Sequence, residues 1–173
     1  MSKTELIRSL FDYNEWANNA VLDAALGVPE DEITRDLGAG GAGHGSLQGI
    51  LLHILGSHVS WLMKWTGEPP HIARVEPGRV MPAIRESYAT AHERLRAYVE
   101  SLTDAALDAE TELMDPAPGG GWRTWRRPLW QVMLSTGTHA AQHRGEAALI
   151  LTALGHSPGE TDYSMWSWRS HAT

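Results

Sequence analysis

The 173-residue sequence contains no cysteine. Disulfides, thiolate zinc sites and a catalytic thiolate are therefore excluded, and the chain suits a reducing compartment. Phenylalanine occurs once against eight tryptophans, so any aromatic wall is mostly indole. Positive charge is the scarcer sign: 14 Lys and Arg against 21 Asp and Glu leave a formal net charge of −7. Surfaces built for nucleic acid or an anionic membrane want the opposite balance, so neither is an expected partner. Long hydrophobic runs are missing too. Residues 37–63 carry no Asp, Glu, Lys or Arg, but they include seven glycines and three histidines, and no uninterrupted apolar run exceeds that at 50–52. A membrane span needs ~20 mostly apolar residues. The opening Met1-Ser-Lys-Thr-Glu-Leu-Ile-Arg8 mixes both charges and lacks a signal core, which makes the cytoplasm the expected location.

What is present is globular. A hydrophobic fraction of 42% with 20% charged residues argues against disorder, and the length fits a single domain over 1–173. Four segments repeat apolar residues every three or four positions, the period of an amphipathic helix. They are 3–26 (Leu6, Leu10, Tyr13, Ala17, Val21), 46–66 (Leu47, Ile50, Leu51, Ile54, Trp61), 81–101 (Ile84, Tyr88, Ala91, Leu95, Tyr98) and 128–154 (Leu129, Met133, Thr136, Ala140, His143). Ser46 is the expected N-cap of the second, and Gly155 the stop of the fourth. Residues 30–45 and 103–127, rich in glycine or proline, are expected to be irregular, with a short extended piece near Trp122 and Trp125. The expected fold is an all-α, antiparallel four-helix bundle with long connections packed over it. The tail, 156–173, is too apolar to hang free.

Three motifs fail on context. Gly38-Ala-Gly-Gly-Ala-Gly43 matches a dinucleotide loop, but a polar stretch precedes it instead of a buried strand. His92-Glu93 lacks a second histidine four residues after the first. Ser46 between Gly45 and Gly49 has no strand to make it a nucleophile elbow.

His139 and His143 survive. Four apart on one helix, they can aim at a common point, and His143 falls on the core stripe. Such a pair can be structural or metal-binding. Without cysteine, a transition-metal site must use imidazole and carboxylate. A third ligand must come from another helix. Periodicity puts His58 nearer the middle of the second stripe than His53. His44, His71, His156 and His171 lie in loops or the tail and are expected in solvent.

Tyr13-Asn14-Glu-Trp16-Ala-Asn18, Leu52-His53-Ile54 followed by Trp61, and His139-x-x-x-His143-Arg144-Gly145 together resemble the DinB/YfiT-like family. These are damage-inducible helical proteins grouped as metal-dependent hydrolases. The resemblance covers most of the chain in the same order, and the His-Arg-Gly triplet is its most specific part. It implies a four-helix bundle, a homodimer and one divalent transition metal, Zn or Ni. It also implies three ligands: His53, His139 and His143. It thereby favours His53 over His58, which becomes a pocket-lining candidate. Glu146 stands where the family more usually has glutamine, offering His143 a carboxylate partner.

Three neutral imidazoles leave such an ion with an open position and Lewis acidity. The expected function is a metal-dependent enzyme on a small molecule. It would be hydrolase-like or, because relatives include thiol-dependent transferases, an S-transferase using a low-molecular-weight thiol. The alternative is a stress-associated dimeric binding protein whose metal is not catalytic. No general base or nucleophile stands out. Trp16, Trp61, Trp65 and Trp130 are expected in the core, and Trp122, Trp125, Trp166 and Trp168 at a pocket wall or dimer contact. Arg144 is expected in an interhelical ion pair, with a substrate carboxylate as the other candidate.

Overall fold

The computed structural model describes residues 1–170, leaving His171 outside the described residues. Four long helices form where the apolar periods predict them: α1 (Lys3–Ala25), α3 (Leu47–Thr66), α4 (Val80–Ser101) and α6 (Leu129–Ala153). Ser2 and Glu5 make a reciprocal capping box that starts α1. The Ser46 hydroxyl accepts from Gly49 N at 3.0 Å and starts α3. Gly155, at φ 82°, ends α6 by taking the left-handed turn that a side chain disfavours.

The connections are more regular than their composition predicts. Residues 30–45 hold a short helix, α2 (Glu30–Thr34), and a 3-10 turn at Gly38–Gly41. Residues 103–127 hold α5 (Asp104–Asp108) and an antiparallel hairpin of β1 (Glu110–Pro116) and β2 (Trp122–Pro128). Glycine density excludes long helices, but it does not exclude a tight turn. Gly119, Gly120 and Gly121 all take positive φ and reverse the chain between the strands. Leu113, buried opposite Trp125, pins the hairpin to the bundle. The tail folds back as α7 (Tyr163–Ser170), with Tyr163 and Trp166 packed on Tyr13 of α1.

Helix neighbours are α1 with α4 and α6, and α3 with α4 and α6. Cross-links give their directions. Arg85–Asp23 and Arg96–Glu15 make α1 and α4 antiparallel. Tyr88 on Leu51 O and Tyr98 stacked on Trp65 make α3 and α4 parallel. A parallel pair needs a return strap as long as the helix, roughly 30 Å for α3. Residues 67–79 supply it. Arg94 binds Glu68, and Ala73 N donates to Ser87 Oγ at 2.8 Å, so the strap runs back down α4.

The apolar core lies in two clusters. One holds Leu22, Leu51, Ile54, Ile84 and Leu151; the other holds Ile7, Phe11, Leu62, Leu95 and Met133. Each such side chain, fully buried, contributes ~1.5–3 kcal/mol. Asn14, Asn18, His58, His92 and Arg144 are also buried and add a polar network to this interior. The tryptophans expected inside are all half-buried at the bundle edge. Indole is too large to be enclosed between these helices, and Trp65 lies instead against Phe11, Trp61 and Tyr98. Trp122 and Trp168 are exposed. No described helix is long and apolar enough to cross a membrane.

Candidate metal centre

The seam between α3 and α6 gathers four imidazoles. His53 projects from α3, and His139 and His143 from successive turns of α6. The His53 ring centroid lies 4.6 Å from that of His143 and 4.9 Å from that of His139, and the two α6 rings are 4.5 Å apart. His44 joins from the loop before α3. It stacks on His53 at 4.0 Å and meets His143 edge-on at 5.0 Å. One ring nitrogen each from His44, His53 and His143 lies within 4.8 Å of the other two. His139 touches two of those rings but is not one of that converging trio.

His44 corrects the expectation of a solvent histidine: it is half-buried. Its loop is tied down by Leu37 N donating to Gly45 O at 2.7 Å and His44 N to Gly41 O at 2.8 Å. Gly49, in the first turn of α3, has no side chain where the His44 carbonyl passes. That glycine inside an apolar helix was the legible signal that backbone approaches there.

Glu146 accepts from His143 Nδ1 at 2.5 Å. A carboxylate only accepts, so Nδ1 carries a proton and Nε2 is the nitrogen left for another partner. Burial opposes ionisation of Glu146, but hydrogen bonds from His143 and Gln142 hold its carboxyl below the usual range. Burial lowers His53, helped by the positive potential of His44, His143 and His139; burial and His143 likewise lower His139. For His53 and His139 both shifts favour the uncharged ring, whose lone pair can bind a cation. That donor set fits a borderline-soft divalent ion.

His58 is elsewhere. It is 2% exposed, faces His92 at 6.4 Å, and with Asn14 lines a cavity of about 70 Å³ between α1 and α4. The expected ion pair of Arg144 does not form among the described residues. Its guanidinium donates to Asn14 Oδ1 at 2.5 Å and Asn18 Oδ1 at 3.2 Å, both neutral, from a 2% exposed position that a substrate cannot reach.

Burial, aided by His92 and Arg144, pushes His58 down to about 3; burial, with Glu15 opposing, pushes His92 down to about 4. Unfolded, both would titrate near 6.5. Below that value the unfolded chain binds protons that the fold refuses, so stability is intact above about pH 6.5 and declines toward pH 4. The expected loss from His58 between about pH 6.5 and pH 5 is about 1–2 kcal/mol. His58→Leu should flatten this limb in urea titrations across that range, and an unchanged slope would refute the assignment.

A family model described as the DinB family matches residues 1–171. No curated protein matches the chain.

Proposed function

The chain belongs to the DinB family, and on that premise we propose that it is a metal-dependent enzyme acting on a small molecule. The observation that carries this reading is the convergence of imidazoles from two helices and a loop. His53, His139 and His143 would hold one divalent ion, zinc or nickel. His139 is preferred to His44 as the third ligand because one rigid helix carries it beside His143. A loop donor must lose more freedom to bind. Bound there, the ion would supply Lewis acidity to a water or thiol.

The chain's own groups have separate tasks. Glu146 keeps the proton on His143 Nδ1 and so fixes that ring's orientation. His44, flanked by Gly43 and Gly45 at positive φ, covers the cluster and can be displaced by an entering ligand. Hydrolysis and thiol S-transfer are both compatible with such a site. The homodimer belongs to the same proposal, and the apolar face formed by Leu6, Leu10, Leu134 and Tyr163 supports it.

The fourth imidazole also supports a second reading. If His44 stayed bound, the ion would be closed off and the protein would be a stress-associated binding protein with a structural metal. Metal analysis of protein purified without a nickel column separates these. His139→Ala and His143→Ala should each reduce metal affinity at least ~100-fold, while His44→Ala should retain stoichiometric metal. Full metal in His143→Ala would end the assignment, and loss in His44→Ala alone would favour the closed site.

A further inference from the structure

The α3–α6 seam also carries a compartment separate from the histidines. Trp61 on α3 and Val132 and Ser135 on α6 share a cleft of about 290 Å³ with Leu113, Trp125 and Arg127 of the hairpin. Ser135 lies one turn before His139, and Trp61 lies eight residues after His53. At helical rise these steps are roughly 6 Å and 12 Å, so the cleft lies one to two turns along the seam from the histidine cluster.

Its polar lining is unequal. Trp125 Nε1–H is buried and finds no acceptor among the described residues. Indole nitrogen can only donate. Arg127 lies over the Trp125 ring at 5.1 Å. Its guanidinium donates to the Arg126 carbonyl at 2.7 Å, a neutral group. The residue opposite Arg127 in the ladder is Thr111, which is uncharged, whereas Arg126 is opposite Glu112 and pairs with it at 3.1 Å. Two indoles, a donor lacking an acceptor and a guanidinium without a cross-strand acid make a flat apolar passage that ends in positive charge.

We propose that this cleft is a tail subsite for elongated ligands that carry a carboxylate at the end remote from their metal-binding head. The inference rests on the metal reading above and names the substrate class for that site. Arg127 binds the carboxylate, and Trp61 and Trp125 flank the spacer. Ser135 leaves room along the way because its side chain is short.

The test uses full-length protein loaded with cobalt, titrated with monohydroxamates of straight-chain dicarboxylic acids from the succinic to the sebacic member, and with their methyl esters. Cobalt absorption reports the metal shell, and the titration gives Kd. Affinity should peak at an intermediate spacer, where the free acid should bind about tenfold tighter than its ester. Arg127→Gln should abolish that preference with cobalt content unchanged, while Arg126→Gln should retain it. Equal binding of acid and ester to cobalt-loaded protein overturns the subsite and leaves the metal centre standing. Equal effects of the two arginine variants also overturn it, since general charge attraction would then suffice. Failure of wild type to take up cobalt overturns the metal reading and this inference together.

Discussion

Gly49→Ala is expected to destabilise the protein by about 2–3 kcal/mol and to pull His44 away from the histidine cluster. A Cβ at this position collides with the His44 carbonyl oxygen, and the next atoms it meets are also His44 backbone and Cβ. Backbone cannot swing aside as a long side chain can. Relief requires His44 to move, which breaks the Ser46 N–His44 O bond of 3.0 Å and disturbs the Ser46 cap on Gly49 N. A helix cap and a buried hydrogen bond are each worth about 1 kcal/mol, and crowding adds the rest. In a chain of this length the melting temperature should fall by roughly 5–10 °C. Gly56→Ala is the control: a Cβ there meets nothing within 4 Å, so helix propensity alone should make it neutral or slightly stabilising. Equal melting temperatures for wild type and the Gly49 variant would show that the loop does not press on α3.

Arg144→Ala should be more damaging, by about 3–5 kcal/mol. Arginine only donates, so the amide oxygens of Asn14 and Asn18 must both face it. That orientation turns Asn18 Nδ2 toward His92 Nε2, at 3.2 Å, which makes His92 an acceptor there and places its own proton on Nδ1. One guanidinium thereby orients two amides and a ring across α1, α4 and α6. Truncation leaves two buried oxygens without a donor and opens a void beneath the Tyr13 ring, over which the guanidinium lies at 5.2 Å. Arg144→Lys should not restore stability, because a single ammonium on a different reach cannot replace the planar fork. Urea unfolding measures both variants, and a loss under about 1 kcal/mol for the alanine variant would mean that the network contributes little.

Arg144 also shows where local reading stops. Its place in the His-Arg-Gly triplet was plain, and so was its position beside the core stripe of its helix. The expected partner was a carboxylate, because a buried guanidinium is usually paired with one. The bundle instead gives it two asparagines from a helix 126 and 130 residues away in sequence. No periodicity along one helix can say which face of another it will meet. The hairpin was legible only in part, for a related reason: the extended piece expected near Trp122 and Trp125 is β2, whereas β1 carries no such signal. Residues 110–116 and 122–128 are short and charged, and what makes them strands is mutual pairing and the anchoring of Leu113.

The four helices, their caps and the pairing of His139 with His143 on one face were determined by the sequence alone, because helical period and capping chemistry act within a few residues. His53 was reached through the family pattern after periodicity favoured His58. Only the tertiary structure decided that His44 belongs to the cluster, that His58 belongs to the core and that the hairpin roofs the same seam. Those outcomes depend on which helices become neighbours and on where a glycine lets a loop fold back. Both are settled by contacts between residues far apart in the chain.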